Sequence, residues 1–254
     1  TRRDFMKYLA RGYVAGNVVV GVAGKVDPKK VMAAIKQHFT GIRTGKKPTF
    51  KKVKESQSKP GVFVQHKKTD QSHLIIGVRA YPMNHPDRYA LAVLATVLGG
   101  GMSSRLWLAV RERRGLAYRV TTGVETYHDA GYLATQSGVE HENLEETIRV
   151  ILDEYRKIAS EKVGAEELLK AKDHMKGGMA LAFEGSDDIV EYLITQETIF
   201  GKVTLPKEKA KKIDAVTADE VLRVAQDIFQ NKRLNLAVIG PKADKKKLEK
   251  LVRL

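Results

Sequence analysis

Two side chains able to hold a carbonyl stand seven residues apart, Arg111 and Tyr118, within LGGGMSSRLWLAVRERRGLAY (Leu98 to Tyr118). A guanidinium and a phenol converging on one spot both donate to a peptide carbonyl and to the oxyanion it becomes. The pair is also open to an ordinary reading, in which Arg111 pairs with Glu112, Glu125 or another acid and Tyr118 is a plain strand aromatic.

The surrounding residues say how the two would be placed. Gly99, Gly100 and Gly101 break an apolar helix, Ser103 reads as an N-cap, and a second helix, Ser104 to Arg114, runs to a C′ glycine at Gly115. Arg111 then falls in the last helical turn. The β-prone run Ala117, Tyr118, Val120, Thr122 and Val124 makes Tyr118 the opening of a strand beside that helix end.

Apolar periodicity extends the reading over the chain. Residues 1–39 read helix, strand, helix, and residues 40–60, rich in Lys, Gly, Ser and Thr, read as a basic linker. Val62 to Lys67 and Ser72 to Ala80 read as strands, and Asp87 to Leu98 as a helix. Tyr118 to Tyr127 and Tyr132 to Val139 form a hairpin around Asp129-Ala130-Gly131. Helices follow near Leu144 to Ser160, Ala165 to Phe183 and Asp187 to Phe200, then a polar break at Lys202 to Pro206 and a closing helix, strand and helix. Hairpins followed by a helical block predict an α+β domain, a mostly antiparallel sheet with helices on one face.

The Arg111 to Tyr118 stretch resembles the Arg/Tyr motif in the second domain of the pitrilysin/insulinase family, the inverzincin metallopeptidases that include the mitochondrial processing peptidases. Ala171 to Lys202 and Val216 to Pro241 are similar to the later helices and closing strand of that domain. The resemblance implies a zinc endopeptidase built from two homologous halves that close like a clamshell on an extended peptide. This chain would contribute Arg111 and Tyr118 to hold substrate carbonyls. The alternative is a catalytically silent relative, either the non-catalytic subunit of a two-subunit peptidase or a core scaffold protein of a respiratory complex.

The family's zinc site rests on His-x-x-Glu-His, with both imidazoles on one helix face and a further Glu downstream. No such motif occurs here: the histidines are at 38, 66, 73, 85, 128, 141 and 174. Zinc is therefore expected in the intact protein and not on this chain.

An internal repeat points the same way. Thr1 to Gly24 can be laid on Thr217 to Gly240 at a constant offset of 216, each with a Thr cap, an acidic first turn, an amphipathic helix to an aromatic, and an apolar strand ending in Gly. The expected organisation is a duplicated metallopeptidase-type fold: residues 1–39 as the C-terminal remnant of a first, zinc-binding domain, 40–60 as linker, and 61–254 as one complete second domain. Expected partners are a peptide substrate, the missing N-terminal domain, and another copy recruited to the exposed half-domain.

Composition narrows the remaining classes. With 254 residues, 43% of them apolar, a sizeable core is available, and the absence of cysteine excludes disulfides and thiolate chemistry. No apolar run approaches the roughly 18 residues of a membrane span. The net charge of +15 is uneven, since residues 1–60 hold 15 Lys and Arg against three Asp and Glu. Lys46, Lys47, Lys51, Lys52 and Lys54, with Phe50 as lone aromatic, read as a solvated linker before a nucleic-acid patch.

Other polar groups have ordinary structural readings. His66 and His73 would face each other across a turn at Thr69-Asp70 as a two-histidine metal site, but they lack a carboxylate there. Glu140-His141-Glu142 reads as a strand-to-helix junction, and Glu184, Asp187 and Asp188 around Gly185-Ser186 as helix caps. Gly177-Gly178 inside a helix suggests close packing, and Trp107 and Leu108 read as core. Gly99 to Gly101 lacks any nucleotide-binding spacing.

Overall fold

A computed structural model describes residues 1–254. The chain divides into two compact units, one of Thr1–Lys52 with Gly178–Pro206, the other of Val53–Gly177 with Lys207–Leu254.

The larger unit is built on a five-stranded sheet: β1 (Gly61–Gln65), β2 (Ser72–Ala80), β3 (Ala117–Thr126), β4 (Gly131–Val139) and β5 (Leu234–Ile239), in the order β1-β5-β2-β4-β3. Every pairing is antiparallel except β1 with β5. Strict alternation produces its two faces: Leu74, Ile76 and Val78 of β2 are buried while His73 and Ile75 are exposed. The helices α3 (Arg88–Gly99), α4 (Leu144–Ser160) and α8 (Ala218–Ile228) pack against the sheet, and α9 (Lys245–Leu251) lies against β1. Leu91, Leu94, Leu98, Ile148, Ile151, Tyr155, Val221 and Ile228 fill the space between these helices and the strands. The other sheet face is open, with Phe63, Ile75 and Tyr132 exposed. The expected α+β class, mostly antiparallel sheet and one-sided helical layer are what the chain forms.

Three local differences have physical causes. β1 and β2, consecutive in sequence, are separated by β5, because the closing strand inserts between them, parallel to β1 and antiparallel to β2. The expected polar break holds at residues 202–205, and a further helix follows it, α7 (Pro206–Asp214), started by a proline whose missing N–H costs nothing at that position. At Gly177 and Gly178, within α5 (Ala165–Leu181), an added Cβ would meet nothing within 4 Å, so close packing does not explain these glycines. The division between the units falls between them.

The smaller unit holds α1 (Arg2–Gly12), α2 (Pro28–His38) and α6 (Ser186–Phe200). Its stretch Val18 to Val22 is extended but joins no ladder, unlike the strand expected there. It lies on α6: a Cβ on Gly21 would come within 2.6 Å of Ile194 and 2.8 Å of Val190. Thr40 to Gly45 returns to α1, with Arg43 donating to the Ala10 carbonyl at 2.9 Å and Gly45 against Val14, the one fully buried apolar side chain of this unit.

The repeat recurs in local structure. Thr1 and Thr217 open α1 and α8 with reciprocal capping boxes to Asp4 and Glu220. Both helices end on an aromatic of similar backbone geometry, Tyr13 (φ −90°, ψ 75°) and Phe229 (φ −80°, ψ 73°). Each is followed by a short 3₁₀ turn, Ala15–Asn17 or Asn231–Arg233, and an extended segment. Asp27 and Asp244 then cap α2 and α9, each accepting from two backbone N–H groups.

Candidate functional site

The segment carrying Arg111 is not a plain α-helix. Trp107–Glu112 forms a π-helical turn in which Arg113 N–H reaches back five residues to the Leu108 carbonyl at 3.0 Å. The helix is entered at Ser104, not Ser103, and the Ser104 hydroxyl donates to the Gly101 carbonyl at 2.6 Å. Gly115 ends it with φ +60°, its N–H bonding the Arg111 carbonyl at 3.0 Å while Leu116 N–H reaches Val110 at 2.9 Å. That left-handed residue turns the chain directly into β3.

Tyr118 sits in a β-bulge. Ala117 pairs with Val139 and Arg119 with Gly138, leaving Tyr118 as the extra residue on an edge strand. Ala117 and Val120 are buried while Tyr118 and Arg119 are both exposed, Tyr118 at 79%. Re-aiming a side chain is what a bulge accomplishes. The Ser137 hydroxyl donates to the Arg119 carbonyl at 2.8 Å and holds the bulge in place.

Arg111 and Tyr118 meet, by a geometry that spacing alone does not show. Arg111 Cζ lies 4.5 Å from the centre of the Tyr118 ring, and Arg111 Nη1 donates to the Tyr118 backbone carbonyl at 2.9 Å. The opposite contact is Trp107, with its ring centre 4.3 Å from the same Cζ. Trp107 is half-buried and the core positions of this turn are Ala109 and Val110, so the expectation that Trp107 is simply core is replaced by a cation–π contact. Its signal in the sequence was an aromatic four residues before the arginine. The remaining guanidinium N–H groups and the exposed Tyr118 hydroxyl are donors with no acidic partner. Neither Glu112 nor Glu125 pairs with Arg111.

Behind this pair the sheet is stiffened by buried hydroxyls. Tyr155, fully buried on α4, donates to the Ile76 carbonyl at 3.2 Å and accepts from Thr135 at 2.7 Å, which accepts from Thr122 at 2.7 Å. Burial pushes the Tyr155 phenol well above its usual range, so it stays a neutral donor. Arg105, just before the π turn, makes two 2.8 Å bonds to Glu167 of α5. A carboxylate so placed holds the Arg105 guanidinium above its usual value.

The other candidates have separate structural roles. His66 follows β1 and His73 lies on β2, with β5 between those strands, so no two-histidine site forms. His141 accepts from the buried Ser72 hydroxyl at Nδ1 (2.9 Å) and donates from Nε2 to Thr69 O (3.1 Å), locking the β1–β2 connection. Asp187 and Asp188 lie in the first turn of α6 behind its N-cap, Gly185. Lys46, Lys47, Lys51, Lys52 and Lys54 are exposed. No helix is long and apolar enough to cross a membrane.

The donor set does not fit zinc. No three His, Cys, Asp or Glu side chains come together as a ligand group.

A one-sided, mostly antiparallel α+β sheet with Arg111 and the edge-strand Tyr118 side by side is the arrangement expected above for a domain of the metallopeptidase type. Residues 1–175 match the peptidase M16 inactive domain, and the chain belongs to the peptidase M16 family. It is similar to an uncharacterized zinc protease of Mycobacterium leprae, 32% identical over 257 residues covering 100% of this chain and 58% of that protein. An uncharacterized zinc protease of Mycobacterium tuberculosis is 31% identical, with the same coverage. The chain thus spans little more than half the length of these relatives. In solved structures its fold matches the peptidase M16 inactive domain from Pseudomonas fluorescens, with TM-score 0.84 and 21% identity over 96% of this chain and 59% of that one. It also matches a chain of complex III2 from Candida albicans with Inz-5 bound, with TM-score 0.86 and 18% identity over 100% of this chain and 63% of that one.

Proposed function

We propose that this chain is the substrate-carbonyl-binding part of a zinc metalloendopeptidase acting on peptides or small proteins, with Arg111 and Tyr118 as the binding pair. One observation carries the reading: Arg111 is held between Trp107 and Tyr118 at 4.3 and 4.5 Å with N–H groups to spare, beside a tyrosine that a bulge turns outward. Such a pair presents preorganised donors to a carbonyl gaining negative charge. The metal, its ligands and the general base belong to another part of the assembled protein, since this chain supplies none of them. The repeated helix, 3₁₀ turn, extended segment and helix support reading residues 1–39 as the tail of a first copy of the fold, with 61–254 as the second. On that reading the partners are the peptide, the first half and, through exposed remnant surface, another copy of this chain.

The test is a double-mutant cycle in the assembled protein. Tyr118→Phe and Arg111→Ala are each expected to lower kcat/KM by about 2.7–4 kcal/mol, the loss typical of one oxyanion donor. The double mutant should lose less than the sum, because both groups act on one transition state. Metal content should not change. Wild-type kcat/KM in both single mutants overturns the assignment, and an assembly that cleaves no peptide favours the non-catalytic subunit or scaffold.

A further inference from the structure

The bulge that exposes Tyr118 exposes Arg119 as well, and Arg119 stands at the edge of a hollow in the sheet. Its side chain lines a depression of about 230 Å³ on the open sheet face, with His73, Ile75, Thr121, Gln136 and Gly138. The ring of His73 lies against the bare backbone of Gly138, where an added Cβ would stand 3.2 Å from Nδ1. No Asp or Glu lines this depression. Arg119 has no acidic partner, and Thr121 Oγ1 is buried without a hydrogen-bond partner.

Arg119 is elsewhere restrained. Its own carbonyl accepts from the Ser137 hydroxyl at 2.8 Å, which fixes the backbone from which the side chain leaves the strand. A guanidinium, an imidazole and a primary amide around one hollow form a donor-rich, carboxylate-free lining suited to an anionic oxygen pair. The position matters because Arg119 follows Tyr118 in the chain. Extended peptide residues advance about 3.3 Å each. A peptide whose carbonyl is held at Tyr118 therefore brings a neighbouring residue over the hollow.

We propose that this hollow is a carboxylate subsite that selects peptides by an acidic group next to the carbonyl held by Arg111 and Tyr118, with Arg119 as its charged anchor. The proposal rests on the peptide-binding reading above. The carboxylate comes from a Glu or Asp side chain or from the peptide's C-terminus, and the two sources are separable.

Fluorescein-labelled decapeptides with a central Glu or Gln, each with a free or amidated C-terminus, serve as probes for the assembled protein. Anisotropy gives affinity and product analysis gives kcat/KM. Glu over Gln is expected to be favoured about tenfold, as one charge-assisted hydrogen bond allows. The ratio should fall toward unity in Arg119→Gln, and Arg119→Glu should instead favour a central Lys. If amidation rather than the Glu-to-Gln change removes the preference, the bound group is the C-terminus. Thermal melts verify that each variant is folded. Equal ratios in wild type and both variants overturn the subsite. If no peptide is cleaved but Arg119-dependent discrimination persists in anisotropy, the peptidase reading fails and the subsite stands.

Discussion

The indole of Trp107 carries the guanidinium of Arg111 at 4.3 Å, on a π-helical turn that places the aromatic one turn before the cation. The contact holds Arg111 in the orientation in which Nη1 reaches the Tyr118 carbonyl, so Trp107 acts through Arg111 rather than on substrate. Trp107→Ala is expected to lower kcat/KM of the assembled protein about three- to tenfold, from loss of a cation–π contact of about 0.5–1 kcal/mol and of the orientation it imposes. Trp107→Phe should recover much of this. Equal activity of all three proteins on the same peptide would show that the stack does not position Arg111.

Gly115 should tolerate no side chain without cost. Its φ of +60° joins the π turn to β3, and no atom crowds an added Cβ, so Gly115→Ala isolates the backbone term. A loss of about 1 kcal/mol in urea unfolding is expected. Unchanged stability would mean that the turn relaxes to another geometry.

Tyr155→Phe removes the hydroxyl that joins α4 to β2 and β4 and leaves Thr135 without its buried acceptor. A cost of about 1–3 kcal/mol follows from stranding buried polar groups. Thr135→Val in the same background should recover part of it, because both polar partners are then gone. A double mutant no better than the single would disprove the hydroxyl chain.

The pH dependence of stability has a named contributor at the start of α3. Asp87 accepts from Arg223 of α8 at 2.6 and 2.9 Å, and this bonding holds its carboxyl below the usual range. Asp87 also faces His85 at 3.8 Å. A depressed folded pKa gives stability that is fully present above the unfolded value of about 4 and is lost as pH falls through the lower folded value. Arg223→Gln should therefore lower Tm at pH 7 and converge on wild type as the pH falls through the depressed folded value of Asp87. A constant difference across that range would show that Arg223 acts by packing alone.

Much of the fold was legible because periodicity reports which face an element buries. The alternation of β2, the hairpin at Asp129 to Gly131 and the apolar face of α8 follow from side-chain hydrophobicity at fixed spacing. The capping boxes at Thr1 and Thr217 and the left-handed glycine at Gly115 are likewise local chemistry. Arg111 and Tyr118 were marked by type and separation.

Tertiary structure decided what local pattern does not encode. Insertion of β5 between β1 and β2 separates His66 from His73, and long-range pairing, not periodicity, sets strand order. Residues 18–22 have a strand's composition but no ladder, because extended backbone becomes a strand only when a neighbour takes its hydrogen bonds. The stack of Trp107 on Arg111 needs the π turn, and the shared exposure of Tyr118 and Arg119 needs the extra residue opposite β4. Sequence by itself determined which residues can donate to a carbonyl; a one-residue change in helical and strand register decided where those donors point.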